Sequence, residues 1–301
     1  MPRHFYTLDV FTDRALAGNP LAVVLDAQGL TDVAMQAIAR EFNLSETVFV
    51  LPPADPHQRA SLRIFTPARE LPFAGHPTVG TAVLLGCLDH GKHHGVTAFG
   101  LEEKVGLVPC AVEVSGDGRG TATFTLPRLP EEVQPAAPRE AVAAALGLSP
   151  RQIGFENHVP TIYTAGNAVC FVPVIDGPAI AQARPQLDRW EAGIWPRERG
   201  AAYLYTRDVT DVGSAFHARL FSPLYGIPED PATGSAVAAM AGLIMAFDKP
   251  EDGEHSLVVE QGYEMGRPSR ITLGLTVQDG ALTRATISGS AVVVSEGSLR
   301  L

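Results

Sequence analysis

The length, composition and charge of the chain are those of an ordinary globular protein. It has 301 residues, 46% hydrophobic and 19% charged, enough to bury a sizeable core in one large domain or two smaller ones. Its formal net charge is -10 at pH 7. Nucleic acids and anionic membranes are bound by clustered Lys and Arg, so this acidic balance argues against both as partners.

Targeting and disulfide patterns are the next features that the sequence excludes. Residues 1–10 contain no long apolar stretch, and an apolar segment such as 232–247 is shorter than a membrane span. We therefore expect a cytoplasmic protein. Cys87, Cys110 and Cys170 are an odd number at wide spacing, which fits neither a disulfide framework nor a zinc site. We interpret them as buried reduced thiols.

Predicted elements in the first half alternate between helices, strands and turns. Asp32–Phe42 is predicted to form a helix, and 48–51 the apolar strand after it. The segment 78–88 is apolar on nearly every face, so we expect a helix surrounded by protein. The glycine-rich segment 115–120 superficially resembles a phosphate loop. The alternating residues 121–126 that follow it predict a strand, so we interpret the glycine-rich segment as a hairpin turn.

The second half begins after a proline-rich segment. Prolines interrupt 126–138, which is predicted to be an irregular linker. The alanine-rich segment 139–148 then predicts a helix. Further along, 232–247 is apolar on nearly every face and predicts a second buried helix.

Three pairs of matched segments, about 150 residues apart, indicate an internal duplication. The first pair reads as a turn entering an apolar strand, the second as a strand alternating arginine with apolar residues, and the third as a helix start containing proline. The pairs are 18–24 with 166–172, 63–67 with 219–223, and 75–82 with 229–236.

The duplication and the two buried helices together predict the fold class. We expect an α+β protein of two pseudo-symmetric halves, each a curled mixed β-sheet wrapped around a central apolar helix. The first half is predicted to span 1–125, completed by a C-terminal strand near 290–301, and the second half to span 126–289.

The third pair of segments points to a binding site. His76 and Asp230 each stand immediately before a proline, so we predict both as N-cap residues of the buried helices. Backbone N–H groups at a helix N-terminus bind anions such as carboxylates. Gly75 and Gly234 allow close backbone approach, and Ser235 adds a hydroxyl donor. The alternatives are that Asp230 is simply a helix cap and that His76 is structural.

Glu46 is a carboxylate that the duplication does not repeat. It lies between the predicted helix Asp32–Phe42 and the strand 48–51, and no carboxylate occupies the corresponding position near 200–203. This asymmetry predicts one dominant general base, because a carboxylate held against buried strands has its pKa raised by desolvation. The alternative is an exposed loop glutamate.

Cofactor motifs are missing from the sequence. It contains neither a P-loop nor a G-x-G-x-x-G motif between a strand and a helix. None of Lys92, Lys104 and Lys249 lies in a candidate site, so a Schiff-base cofactor is not expected. The histidines at 90, 93 and 94 crowd one predicted loop, and we interpret them as solvated rather than as metal ligands. We expect no cofactor and no metal.

These residues resemble the PhzF family of phenazine-biosynthesis-like proteins, which share the diaminopimelate epimerase fold. The resemblance covers nearly the whole chain. It is carried by residues 9–12, 18–20, 35–47, 63–82, 229–236 and 266–269.

The resemblance implies an active site in a cleft between the halves, and commonly a homodimer. By its place in the family's motif, Glu46 resembles the family's catalytic acid-base carboxylate. His76, Asp230 and Ser235 resemble the polar residues that line the family's cleft. The resemblance also implies backbone contacts to substrate from Gly75 and Gly234. Asn19, in a segment that carries the resemblance, is a further candidate for binding substrate.

The epimerases of this fold use two cysteines as acid and base. The corresponding segments here, 74–78 and 232–235, contain no cysteine. The resemblance therefore implies a single carboxylate that moves a proton, as in the isomerisation of an amino-hydroxy-cyclohexadiene carboxylate.

The predicted function is cofactor-independent isomerisation of a small carboxylate-bearing substrate, with Glu46 as acid-base and His76 with Asp230 stabilising the dienolate. One alternative is a protein on the same fold that binds a small acid or a partner without catalysis. Hydrolysis with Ser235 as nucleophile is a third interpretation. It is disfavoured because the sequence has no Gly-x-Ser-x-Gly elbow.

Overall fold

The structure of the protein is a computed structural model that describes residues 2–195 and 200–300. It contains two compact units. The first comprises the residues up to Pro127 and those from Ile287 onward, and the second comprises Arg128–Thr286. Helices and strands are mixed in both units, which confirms the predicted α+β class. Leu301, the last residue of the predicted C-terminal strand, lies outside the described residues.

Among its described residues, the first unit contains eight strands, two α-helices and most of the last described strand, β17 (Ala281–Leu299). The strands are β1 (Arg3–Val10), β2 (Asn19–Val24), β3 (Glu46–Leu51), β4 (Ala60–Phe65), β5 (Glu70–Leu71), β6 (Gly95–Glu103), β7 (Gly106–Val114) and β8 (Arg119–Thr125). The helices are α1 (Asp32–Phe42) and α2 (Gly75–His90). The hairpin turn predicted at 115–120 is confirmed between β7 and β8.

The second unit, apart from residues 196–199, follows with eight strands and four α-helices. The strands are β9 (Glu131–Pro135), β10 (Thr161–Thr164), β11 (Ala168–Pro173), β12 (Ala202–Thr206), β13 (Phe216–Ser222), β14 (Ile227–Asp230), β15 (Gly253–Gln261) and β16 (Ser269–Gln278). The helices are α3 (Arg139–Ala145), α4 (Gly177–Gln182), α5 (Leu187–Gly193) and α6 (Gly234–Phe247). The last strand, β17 (Ala281–Leu299), begins in the second unit and continues into the first.

Strand pairing in the first unit forms a closed ring. β17, β1, β2, β3, β4, β6, β7 and β8 pair in that order. β8 then pairs with β17 and closes the ring. The β2–β3 and β4–β6 pairs are parallel. The β17–β1, β1–β2, β3–β4, β6–β7 and β7–β8 pairs are antiparallel, so the sheet is mixed. A closed sheet leaves no open edge and encloses whatever lies inside it.

Helix α2 packs against β1, β2, β3, β6, β7 and β8. Its residues from Gly75 to Gly86 are all buried, as its uniformly apolar sequence predicts. Gly80 is required by close approach, because a Cβ there would lie 2.6 Å from Leu21 Cδ2 and 2.7 Å from Val10 Cγ2. The helix can therefore lie directly against β1 and β2.

Helix α1 covers the opposite face of the first sheet. Met35, Ile38 and Ala39 on its apolar side pack with Phe49 of β3 and Phe65 of β4. The helix begins at the predicted Asp32, where the Thr31 side chain accepts a hydrogen bond from Ala34 N. It ends where Asn43 adopts the left-handed conformation, which turns the chain toward β3.

The second unit repeats the succession of pairings found in the first. β10–β11 is antiparallel, β11–β12 parallel, β12–β13 and β13–β14 antiparallel, β13–β15 parallel and β15–β16 antiparallel. The types match those of β1–β2, β2–β3, β3–β4, β4–β5, β4–β6 and β6–β7 in the same order.

Helix α6 lies between β14 and β15 along the chain, as α2 lies between β5 and β6. It packs against β9, β10, β11 and β16, and most of its residues are buried. Helices α3, α4 and α5 form a separate apolar cluster with strands of this sheet, and the fully buried Trp190 belongs to it.

Four predicted segments differ from the structure. The predicted irregular linker 126–138 contains β9, which pairs with β10. The prediction was wrong there because a proline at the end of an edge strand, such as Pro135, removes one donor without preventing pairing. The helix predicted at 139–148 ends at Ala145. The buried helices begin at Gly75 and Gly234 instead of at Pro77 and Pro231, the first positions after the predicted N-cap residues.

Within residues 2–195 and 200–300, every helix is too short or too polar to cross a membrane.

Candidate active site

Glu46 is the first residue of β3, and its side chain is 12% exposed. The alternative of an exposed loop glutamate is therefore wrong. Side chains alternate along a strand, so Glu46 faces away from the side on which Phe49 meets α1. The left-handed Asn43 ends α1 three residues earlier and starts the turn that delivers Glu46 to this face.

His76 lies beside Glu46 in the first turn of α2. Its Nε2 atom is 3.4 Å from Glu46 Oε2, and its side chain is 5% exposed. Burial lowers the pKa of His76 from 6.5 to about 3, so the imidazole is neutral near pH 7. Nε2 has no hydrogen-bond partner in the structure. The contact with Glu46 is thus a close approach of a carboxylate to a neutral ring, and Nε2 remains available to a ligand.

Asn19 determines which tautomer of His76 is present. Its Nδ2 atom lies 3.3 Å from His76 Nδ1, and both side chains are buried. An amide nitrogen only donates, so Nδ1 accepts and the proton of the neutral ring is on Nε2. The N–H of His76 is therefore directed to the side on which Glu46 lies.

The start of α2 differs from the N-cap prediction. The N-cap residue is Ala74, whose carbonyl accepts from Thr78 N at 3.2 Å, while His76 is already helical. The prediction for His76 was wrong because Pro77 occupies the third helical position instead of the first, which is tolerated where the N–H has no intrahelical acceptor. The amides of Gly75 and His76 have no acceptor within the helix for the same reason, so they suit an anion.

Asp230 also is not an N-cap residue. It is the last residue of β14, and the N-cap of α6 is Thr233. Asp230 Oδ2 accepts a hydrogen bond of 2.5 Å from Thr233 Oγ1, so the carboxylate caps the turn from outside the helix. The prediction was wrong because Pro231 and Ala232 form the connection and the helix begins only at Gly234.

Gly234 and Ser235 are the first two residues of α6. The helical ladder begins after them, with Ala236 N and Val237 N both donating to Thr233 O at 3.1 Å. The amides of Gly234 and Ser235 therefore have no acceptor within the helix. The two starts are alike, since α2 offers Gly75 and His76 in the same way.

The predicted site residues thus fall into two groups, one in each unit. Glu46, His76, Asn19 and Gly75 come together in the first unit. Asp230, Gly234 and Ser235 come together in the second.

Gln261 is a residue of the second group that the sequence did not reveal. Its buried amide donates to Asp230 O at 2.7 Å and to Thr233 Oγ1 at 3.0 Å, and accepts from Thr233 N at 3.1 Å. Tyr203 Oη also donates to it at 3.1 Å. Gln261 ends β15, about 30 residues after Asp230 and Thr233. No local sequence pattern indicates these contacts, because they are tertiary.

Glu103 is a second buried carboxyl near α2. Burial raises its pKa to about 8, while a hydrogen bond of 2.7 Å from Thr78 Oγ1 acts in the opposite direction. Its other oxygen has no hydrogen-bond partner. The pKa indicates that the side chain is largely protonated near pH 7.

The cysteines are free, as interpreted from the sequence. Burial raises the pKa of Cys87 to about 11 and of Cys110 and Cys170 to about 12, so all three are protonated thiols. None occupies the helix starts of α2 or α6. Neither helix start therefore holds a thiol that could act as an acid or a base.

Among the residues that the structure describes, one group of side chains has the spacing of metal ligands. Ligand atoms of Glu156, His158 and Asp248 lie within 4.8 Å of one another. Arg207 donates to both Asp248 and Glu156, and the ring nitrogens of His158 contact Tyr205 Oη at 3.0 Å and Asp248 Oδ1 at 2.9 Å. Because a guanidinium already balances the carboxylates, this cluster is an ion-pair network.

Comparison with known proteins shows relatives over the whole chain. An isomerase of Mesorhizobium japonicum, described as uncharacterized, is 51% identical over 301 residues, with 99% of this chain and 98% of that protein covered. The trans-2,3-dihydro-3-hydroxyanthranilate isomerase of Pseudomonas chlororaphis is 35% identical over 309 residues, with 99% of each covered.

A solved structure gives the same result. The crystal structure of the Bacillus anthracis phenazine biosynthesis protein of the PhzF family matches with a TM-score of 0.87 and 28% identity over 100% of both chains. The family model of the phenazine biosynthesis-like proteins, PhzC-PhzF, matches residues 8–297. The chain therefore belongs to the phenazine biosynthesis-like (PhzC-PhzF) protein family.

Proposed function

We propose that this protein is a cofactor-independent isomerase that moves a proton between two carbon atoms of a small carboxylate-bearing substrate, with Glu46 as the acid-base. The observation that carries the proposal is the 3.4 Å approach of Glu46 Oε2 to the buried, neutral His76. A carboxylate and a neutral N–H donor side by side can remove a proton and stabilise the charge that develops.

The general activity follows from the relatives. Full-length relatives at 51% and 35% identity are named isomerases, and so is a third from Pseudomonas aeruginosa at 33%. This chain is accordingly an isomerase. The proton carrier and the substrate are our proposal.

In the proposed reaction, Glu46 removes a proton from a carbon atom of the substrate. The electron pair of the broken C–H bond moves into the adjacent conjugated double bonds and forms a dienolate. Glu46 then returns the proton to a different carbon, and a C–H bond forms there as the double bonds shift. Atoms and electrons balance without an oxidant or a second substrate.

The polar groups around Glu46 have separate roles in this proposal. The Nε2–H of His76, held in that tautomer by Asn19, donates to the developing negative charge. The amides of Gly75 and His76 bind the substrate carboxylate. We propose that Gly234 and Ser235 of the second group likewise bind the substrate. Asp230, a carboxylate that accepts from Thr233 Oγ1, can also accept a hydrogen bond from an N–H or O–H group of the substrate.

trans-2,3-Dihydro-3-hydroxyanthranilate is the substrate to test first. The Pseudomonas chlororaphis relative is named for it. Its carboxylate, conjugated double bonds and compact ring match the chemistry proposed for Glu46 and the helix starts. The substrate class stays open to related cyclic or linear unsaturated carboxylates.

The decisive experiment compares wild type with Glu46→Gln on this compound in ordinary and deuterated water. We expect the variant to lose turnover by at least about 100-fold, because an amide cannot accept the proton. NMR of the product shows which carbon receives the proton and whether it exchanges with solvent. Glu41→Gln, in the exposed last turn of α1, is the matched control and should retain full activity. Undiminished turnover by Glu46→Gln would refute the proposal.

The alternative of a non-catalytic binding protein has its own outcome in this experiment. Wild type that binds unsaturated carboxylates, measured by calorimetry, yet converts none of a panel of them would favour it. A cytoplasmic location and a homodimer stay predictions, and light scattering of the purified protein tests the second.

We also infer that the two units are pseudo-symmetric halves derived from one duplicated unit, each with its sheet curled around its apolar helix. The identical succession of parallel and antiparallel pairings supports this inference. So do the alike starts of α2 and α6.

A further inference from the structure

An arginine on β4 links three parts of the first unit. Arg63 donates to both oxygens of Glu70, from Nε at 2.7 Å and from Nη2 at 2.8 Å. Its third nitrogen, Nη1, donates to Asp32 Oδ1 at 2.6 Å, at the start of α1. The guanidinium also lies over the ring of Phe65, 5.1 Å from the centroid. One planar group thereby joins the sheet, the outer helix and Glu70.

The second unit contains the same arrangement on β13. Arg219 donates to both oxygens of Glu229, from Nε at 2.8 Å and from Nη2 at 2.9 Å. Nη1 lies 2.9 Å from the carbonyl of Ile180 in α4, with two further carbonyls of that helix end at 3.2 Å. The guanidinium stacks over Phe221 at 4.6 Å. Again the sheet, an outer helix and a glutamate are joined.

Each glutamate precedes the buried helix of its own unit by the same number of residues. Glu70 precedes Gly75, the first residue of α2, by five positions, and Glu229 precedes Gly234, the first residue of α6, by five positions. Glu229 is also the neighbour of Asp230. Each carboxylate that an arginine binds therefore lies one short segment before the amides of the candidate site.

We propose that Arg63 and Arg219 are positioning residues that fix the starts of α2 and α6, and with them His76 in α2 and Asp230 beside Glu229. The expected effect of the two arginines on catalysis rests on the proposed function. Their expected effect on the helix starts does not depend on that function.

The geometry explains why arginine is needed at these positions. A bidentate guanidinium–carboxylate pair fixes distance and direction, whereas a lysine ammonium supplies a single point of charge. The pairs are well shielded, with Arg219 3% and Glu229 19% exposed. A shift of about 1 Å at a reacting group can cost about 100-fold in rate, so a loosened attachment affects catalysis without unfolding the unit.

The two attachments are unequal in strength. Glu70 also accepts a hydrogen bond of 2.5 Å from Lys104 Nζ, so removing Arg63 leaves this carboxylate with a cation. Arg219 is more deeply buried than Arg63, which is 23% exposed, and holds backbone carbonyls as well. We therefore expect the larger effect from Arg219.

The test compares Arg219→Gln and Arg63→Gln with a control variant of the full chain. Arg59→Gln is the matched control, because Arg59 forms a bidentate pair with Asp89 at 2.9 and 2.7 Å, and Asp89 lies at the other end of α2. Hydrogen exchange measured by mass spectrometry reports on residues 72–80 and 229–238. Steady-state kinetics with trans-2,3-dihydro-3-hydroxyanthranilate, the substrate proposed for this protein, separate kcat from KM.

We expect exchange at 229–238 to become at least several-fold faster in Arg219→Gln, and exchange at 72–80 in Arg63→Gln, with no such change in Arg59→Gln. kcat should fall by about 10- to 100-fold in Arg219→Gln, with a smaller change in KM, because misplacement acts mainly on the reacting groups. If Arg219→Gln does not fold, Arg219→Lys keeps the charge and should show the same pattern.

Wild-type exchange at both helix starts in a folded Arg219→Gln or Arg219→Lys protein would overturn the inference. So would a uniform increase across the second unit, which indicates only lower stability. If wild type itself converts no substrate, the proposed function fails, and the exchange measurements still decide whether the arginines position the helix starts.

Discussion

His76 Nε2 lies 3.4 Å from Glu46 Oε2, and the pair joins the start of α2 to the start of β3. Burial keeps the imidazole neutral, so the ring acts as a hydrogen-bond donor instead of a cation. The cause is desolvation, because burial penalises the charged form of the ring.

Replacing Asn19 should change the tautomer of His76. In Asn19→Asp, the new carboxylate accepts from Nδ1–H, which moves the ring proton away from the side facing Glu46 and raises the pKa of His76. We expect turnover to fall by about 10- to 1,000-fold, since a wrong tautomer cannot donate to the reacting atoms. The ¹⁵N shifts of the His76 ring identify the tautomer.

The control for this change is Asn157→Asp, at an exposed site where the amide donates to Phe247 O. It should leave the His76 shifts unaltered. A Nε2–H tautomer with full activity in Asn19→Asp would contradict the role assigned to Asn19.

His76 should make the protein sensitive to acid. Its pKa is about 3 in the folded protein and 6.5 without burial, so the unfolded chain binds the proton more readily between these values. Stability is therefore complete above pH 6.5 and is lost as the pH falls toward 3. Relative to His76→Gln, wild type should lose about 1 kcal/mol of unfolding free energy per pH unit below pH 6.

Urea unfolding at pH 7, 6, 5 and 4 measures this difference. His93→Gln, at an exposed position, is the control and should follow wild type. Parallel curves for wild type and His76→Gln would show that the histidine does not resist protonation.

Glu103 should produce the opposite dependence on pH. Burial raises its pKa from 4.5 to about 8, so the folded protein retains a proton that the unfolded chain has released. Stability should therefore fall as the pH rises from about 4.5 to 8. Glu103→Gln is neutral at every pH and keeps an acceptor for Thr78, so it should gain stability relative to wild type across this window. Thermal unfolding at pH 5, 6.5 and 8 tests the prediction.

The exposed Glu113 provides the comparison, because Glu113→Gln should show no such trend. A constant difference between Glu103→Gln and wild type at all three pH values would mean that Glu103 is ionised in the folded protein.

Gln261 should be needed for both stability and activity. Gln261→Met is similar in size but removes the bonds to Asp230 O and Thr233, leaving buried polar groups unpaired. Each such group costs about 1 to 3 kcal/mol, so we expect a clear drop in the unfolding free energy. kcat should also fall, because Asp230 loses its support. A variant with lower stability and unchanged kcat would show that Gln261 is structural only.

Local patterns were sufficient for much of the fold. The helix Asp32–Phe42 and the β7–β8 hairpin follow from capping, periodicity and turn residues, which act within a few positions of each other. The linker prediction was wrong because β9 is stabilised by β10, about 30 residues further along the chain. Helix starts were misplaced by a few residues because proline tolerates several positions in a first turn.

By itself, the sequence determined the α+β class, the apolar character of the two buried helices and the family to which the chain belongs, since these depend on residue order and spacing. Only the tertiary structure decided that His76 is neutral, that Asn19 faces its Nδ1 atom and that Gln261 holds the turn after Asp230. The physical reason is that protonation and hydrogen-bond partners depend on burial and on groups distant in sequence, which no local pattern contains.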